Sequence, residues 1–132
     1  MFTISSEKNK LQPERMLALL QSTYWAKDRT LEQMLLAVEN SVCFGAYDKD
    51  GLQIGLVRVV TDFVSAFYLC DVVVDPRFRG QGVGKALVEA AVCDPRYAGL
   101  RGLLVTSDAH GLYEKYGFTP ANQRHMGREP NK

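Results

Sequence analysis

The sequence predicts an α/β domain in which a mixed, mostly antiparallel sheet is flanked by helices. Three observations carry that expectation. Two helix-period segments fill the first forty residues, a block of β-branched and aromatic runs separated by turn residues follows, and an Arg- and Gly-rich loop then leads from a strand into a further helix. A chain of 132 residues that is 46% hydrophobic and 23% charged is long enough for one substantial core, so residues 1–132 are expected to form a single domain.

The elements follow in order. "FTIS" reads as a short strand, and Pro13 suits the first turn of a helix whose apolar face is Met16, Leu17 and Leu20. "TYWAKDR" is an aromatic and charged connector. Thr30 and Gln33 make a T-x-x-Q capping box ahead of Leu31, Met34, Leu35 and Val38, which predicts a second helix up to Asn40. From Val42, "SVCFGAYD", the turn "KDG", "LQIGLVRVVTD" and "AFYLCDVVVD" predict a hairpin and a third strand beside it. Because "VVV" is apolar throughout, that third strand is expected to be central and buried on both faces at its C-terminal end.

After Pro76 and "RFRGQGVG", a helix is predicted with Val83, Leu87 and Ala90 on one face and Lys85 and Glu89 on another. "LRGLLVTS" is a further strand. Asp108 stands as an N-cap before the short helix of "AHGLYEKYGF", ended by Gly117, and a last strand is expected around Gln123 to Met126.

Charge and composition exclude several functions. Sixteen basic and 15 acidic side chains give a net charge of +1, too little for a global attraction to nucleic acid or an anionic membrane. Cys43, Cys70 and Cys93 are odd in number and lack CxxC spacing, so neither a disulfide framework nor a zinc ribbon is expected. His110 and His125 give no metal-site spacing. The N-terminal residues lack the apolar core of a signal peptide and no apolar run reaches the roughly 20 residues that span a bilayer, so a cytoplasmic protein is expected.

The glycine loop is where chemistry enters. At a helix N-terminus several N–H groups lack intrahelical partners and the helix dipole adds partial positive charge, which makes a phosphate site if the backbone can come close. Gly80, Gly82 and Gly84 allow that approach, and Arg77 and Arg79 add cationic donors. A Walker loop needs four residues between its glycines and then Lys-Ser/Thr; here Gly80 and Gly84 enclose three and Lys85 precedes Ala86. The G-x-G-x-x-G dinucleotide fingerprint fails too, because the third glycine comes one residue early and a meander precedes it.

"RGQGVG" does fit R/Q-x-x-G-x-G/A, and with "LYEKYGF" downstream the chain resembles the GNAT superfamily of acyl-CoA-dependent N-acetyltransferases, of a small single-domain bacterial type. The resemblance implies splayed central strands that bind acetyl-CoA as cosubstrate. The backbone of Val72, Val73 and Val74 would pair with the pantetheine arm, and Arg79, Gly80, Gln81, Gly82, Val83, Gly84 and Lys85 would take the pyrophosphate. It implies that Tyr113 is the general acid that protonates the departing sulfur; a tyrosine that only packs on the cofactor is the alternative.

The base is open. Asp71 is the only carboxylate within "YLCDVVV", and burial there could raise its pKa enough to take a proton, or it could fix a nearby loop by hydrogen bonds. His110, one turn before Tyr113, could relay protons or be structural. Tyr24, Trp25, Asp28 and Arg29 could line a pocket for a small polar substrate or form a satellite cluster under a loop. The expectation is direct transfer of acetyl to a primary amine of a small molecule or peptide, with no nucleic acid or membrane partner and with a homodimer open through edge strands. A ping-pong route through Cys70 and a non-catalytic CoA-binding sensor are the competitors.

Overall fold

A computed structural model describes residues 1–106, 109–120 and 125–130. Asp108 as a helix cap, and the Gln123 end of the last expected strand, lie outside the described residues. The described elements run β1 Phe2–Ser5, α1 Pro13–Gln21, α2 Leu31–Glu39, β2 Val42–Asp48, β3 Gln53–Thr61, β4 Ala66–Val74, α3 Val83–Val92, β5 Arg101–Leu103 and α4 His110–Glu114. They build a five-stranded sheet in the order β1-β2-β3-β4-β5, antiparallel except for the parallel β4–β5 pair.

Each sheet face has its own apolar cluster. On one, α3 buries Val83, Leu87, Val88 and Ala91 against Phe44, Val57, Phe67 and Leu69. Leu87 is wholly buried, worth roughly 1.5–3 kcal/mol, and a Cβ on Gly55 would come within 2.9 Å of its Cδ1, so glycine is what lets α3 settle on β3. On the other face, Met16, Leu19 and Leu20 of α1 and Met34 of α2 pack with Cys43, Leu56 and Val73.

The expected helix starts are present. Pro13 opens α1, and Gln33 N–H donates to Thr30 Oγ1 at 3.1 Å while Thr30 N–H donates to Gln33 Oε1 at 3.0 Å. The apolar face of α2 differs from expectation: only Met34 is buried, and Leu31 and Leu35 are each 44% exposed. The helix rests chiefly on α1 rather than on the sheet, so one row of its apolar residues suffices for packing.

The third expected strand is β4, and its C-terminal end departs from the sequence reading. Val73 is buried but Val72 and Val74 are half-buried, because β5 pairs only with Ala66, Phe67 and Tyr68 and then diverges. The apolar run therefore lines an opening instead of a sealed core.

Candidate active site

The opening begins where β5 leaves β4. The Asp75 N–H still donates to the Ile54 carbonyl at 2.8 Å, so strand alternation turns the N–H and C=O groups of Val74 and Val72 away from β3 and into the gap. Beyond Val74 the chain turns sharply. Asp75 Oδ1 accepts the Arg77 N–H at 2.9 Å, and its Oδ2 accepts Arg15 Nη2 at 2.7 Å and Arg77 Nη2 at 2.8 Å. The hydrogen bonds from Arg77 outweigh burial and hold the Asp75 carboxyl well below the usual carboxylate range. Arg77 is thereby committed to the turn, and Arg79 is the arginine of this loop that faces the opening.

Gly80 and Gly82 have φ of +80° and +83°, and Gly82 is the N-cap of α3. These left-handed positions wind the backbone so that the first intrahelical bond is Ala86 N–H to Gly82 C=O, and among the described residues the N–H groups of residues 80 to 85 have no acceptor. A Cβ at either glycine would meet nothing within 4 Å, since both face open space. The resulting cavity of about 530 Å³ is lined by residues 72 to 74, Arg79, Gly80, the first turn of α3 through Lys85, and residues 22 to 25 on the opposite wall. Gln81 is exposed and does not line it, though its N–H belongs to the unpaired set.

At the other end of the gap β4 carries a bulge. Leu56 pairs with Val73 and Arg58 with Cys70, so Asp71 and Val72 together stand opposite Val57, with Asp71 at φ +54°. The extra residue reverses the alternation: Phe67 and Leu69 pack towards α3, whereas Val73 packs towards α1 and α2. Asp71 is turned to that second face. Its Oδ2 accepts Arg29 Nη1 at 2.6 Å and Arg58 Nε at 2.8 Å, and its Oδ1 accepts Trp25 Nε1 at 3.1 Å. Arg58 Nη1 continues to Ser41 Oγ at 2.8 Å.

Of the two readings open for Asp71, this geometry agrees with the carboxylate that fixes a nearby loop by hydrogen bonds and not with the raised pKa. Burial is the largest single influence and pushes the carboxyl up, but the hydrogen bonds and charges of Arg58 and Arg29 together outweigh it and lower the pKa. Asp71 is an ionised anchor for the α1–α2 connector and a weak base. Of the expected substrate residues, Tyr24 and Trp25 line the cavity, with rings edge-to-face at 5.2 Å, while Arg29 is spent partly on Asp71 and Asp28 is exposed away from it. Arg58 and Ser41 escaped the sequence reading; the surplus cation in a hydrophobic strand, Arg58 in "GLVRVV", was the available signal.

Tyr113 and His110 come together elsewhere. Both line a second cavity of about 600 Å³, with Tyr68, Leu103 and Phe118, at the β4–β5 junction. Tyr113 is 9% exposed and its ring packs edge-to-face on Phe118 at 6.2 Å, whereas His110 is exposed. β4 links the two cavities, since Tyr68 and Val72 are four residues apart, about 13 Å along an extended strand. The Cys70 thiol donates to the Arg58 carbonyl at 3.3 Å, and burial pushes its pKa up to about 11, which leaves little thiolate for a ping-pong route. Among the described residues no cluster of His, Cys, Asp or Glu could hold a metal ion, and no helix is long and apolar enough to cross a membrane.

Comparison with known proteins bears on this geometry. Residues 39–120 match the model of the GNAT acetyltransferase domain. A protein of Xanthomonas campestris pv. campestris assigned to the GNAT family is 41% identical, with a TM-score of 0.91 over 98% of this chain and 94% of that one. A GNAT-family acetyltransferase of Streptococcus pneumoniae TIGR4 is 27% identical, with a TM-score of 0.76 over 100% of this chain and 98% of its own. A Gibberella zeae protein named as an acetyltransferase is 30% identical over 107 residues, 67% of this chain and 60% of that protein. The chain spans 60% and 58% of the length of two of the curated relatives it matches, and less of two others.

Proposed function

Because the chain belongs to the GNAT family of acetyltransferases, we propose that residues 1–132 form one N-acetyltransferase domain that moves acetyl from acetyl-CoA to a primary amine by direct attack. The observation that carries this reading is the continuity of unpaired backbone: the free edge of β4 at Val72 and Val74 runs into the unpaired N–H groups of residues 80 to 85. An extended chain bearing amides fits the first as an added strand, and a pyrophosphate fits the second. Arg79 and Lys85 supply the neighbouring positive charge. Bound there, acetyl-CoA would supply an activated thioester.

The chain's own residues then divide the remaining work. A group laid along β4 from Val72 reaches the Tyr68 end after about 13 Å, which brings a thioester towards Tyr113. The Tyr113 phenol donates its proton to the departing sulfur. The amine attacks as the neutral species, and water carries away its proton, since Asp71 is held ionised by two arginines and is too weak a base for that step. Trp25 and Tyr24 line the cavity together with residues 72 to 74 of β4.

Turnover tests the reading. With acetyl-CoA in excess, a panel of polyamines, aminoglycosides, amino acids and N-terminal peptides is screened for free CoA release, and at least one class should release CoA well above hydrolysis. Tight CoA binding with no release from any amine would instead favour a CoA-binding sensor.

A further inference from the structure

Arg29 and Arg58 converge on a single carboxylate. Asp71 Oδ2 takes one N–H from each, at 2.6 and 2.8 Å, so two positive charges meet one negative and the cluster keeps a net charge of +1. Each guanidinium has five N–H donors. Arg29 uses Nη1 on Asp71, and Arg58 uses Nε on Asp71 and Nη1 on Ser41. Among the described residues nothing accepts from Arg29 Nε or Nη2, or from Arg58 Nη2. The side chains are 22% and 15% exposed, so solvent reaches the cluster.

Its position matters as much as its charge. The cluster lies at the β4 bulge, at the end of the unpaired edge nearest the thioester in the reading above, and Trp25 joins it to the cavity by lining the one and donating to the other. Surplus cationic charge at that point repels a protonated ammonium but attracts an acid. It also favours the neutral form of a nearby amine, the form that attacks.

We propose that the unused guanidinium donors of Arg29 and Arg58 bind an anionic group, a carboxylate or a phosphate, borne by the acceptor, which makes the acceptor an amine that also carries an acid. The inference rests on the acetyltransferase reading and gives its acceptor a chemical class. Arg29, on the connector and more exposed than Arg58, makes the principal contact, in the paired N–H geometry that guanidinium offers to acid oxygens.

Matched amines test it: alanine against ethylamine, phenylalanine against phenethylamine, and phosphoethanolamine against ethanolamine, with CoA release as the readout. In at least one pair the acid-bearing member should show kcat/KM at least about ten-fold higher, and which pair it is separates carboxylate from phosphate. Arg29→Gln should lower that member roughly 10- to 100-fold more than its acid-free partner, with part of this extra loss restored by Arg29→Lys. Equal use of both members, or equal loss of both in Arg29→Gln, would overturn the inference and reduce Arg29 to a strut for Asp71.

Should Arg29→Gln fail to fold, or no amine turn over, calorimetry on the CoA-saturated wild type decides. N-acetylalanine and N-acetyl-O-phosphoethanolamine are titrated against N-acetylalaninamide and N-acetylethanolamine, and tighter binding of either acid than of its neutral counterpart supports the subsite. Equal or absent binding of the acids contradicts it. Failure to bind CoA at all would remove the acetyltransferase reading and the inference with it, whereas CoA binding with acid-free amines preferred removes the inference alone.

Discussion

Tyr113 is packed on Phe118 at the wall of the second cavity, so Tyr113→Phe keeps the ring contact and removes the phenolic hydroxyl with its proton. CoA affinity should stay within about two-fold of wild type while kcat falls by about ten- to a hundred-fold, at or below the roughly 10²- to 10⁴-fold scale of general acid catalysis, because a thiolate is already a fair leaving group. The alkaline limb of the kcat profile should change as well. A wild-type kcat with an unchanged alkaline limb would leave Tyr113 a packing residue.

Asp71 calls for a stability measurement. Its pKa is lowered in the folded protein, so its contribution is fully present above the ordinary carboxylate pKa of about 3.9 and is lost as pH falls through the folded value. Asp71→Asn leaves two guanidiniums facing each other without a counter-charge, and should cost about 2–4 kcal/mol at neutral pH. It should also flatten the fall in melting temperature below about pH 4 relative to wild type. A variant with wild-type stability and the same acid limb would show that the ion cluster does not anchor the connector.

Among the elements, the loop before α3 concentrates the N–H groups proposed to bind the pyrophosphate. Gly82→Val forces a β-branched residue to φ +83° and projects it into open space on the cavity side, with no protein atom within 4 Å to resist it. The backbone strain should cost about 1–3 kcal/mol of stability, while CoA affinity should fall by much more than ten-fold. An intact variant with unchanged affinity would rule the loop out as the cradle.

What could be read from sequence also sorts by element. The starts of α1, α2 and α3 were legible because their signals are local: Pro13, the Thr30–Gln33 box, and the glycines before Val83. The loop and the unpaired stretch at Val72 to Val74 followed from the same punctuation, read through the family resemblance. The bulge at Asp71 was not legible, because nothing within "LCDVVV" requires a left-handed aspartate; the demand comes from pairing with β3 and from arginines 13 and 42 residues away in sequence. Sequence therefore left two readings of Asp71 open, a raised pKa and a loop-fixing carboxylate, and those distant arginines decide for the second. Likewise the half-exposure of α2 depends on what it packs against, which its own periodicity does not state.

Across the molecule one strand joins two cavities: the glycine loop lies at one end, Tyr113 at the other, and the free edge of β4 between them. A cofactor slot there would account for an apolar strand that stops pairing partway along and for successive N–H groups at the start of α3 that have no acceptor among the described residues. Residue-resolved amide hydrogen exchange, with and without saturating CoA, probes both features in one measurement. The N–H groups of Val72, Val74 and residues 80 to 85 should exchange quickly in the free protein and become strongly protected with CoA bound, while those of β1 and β2, remote from the gap, change little. CoA binding that left this set unprotected, or that protected a different surface, would contradict the assignment of the slot.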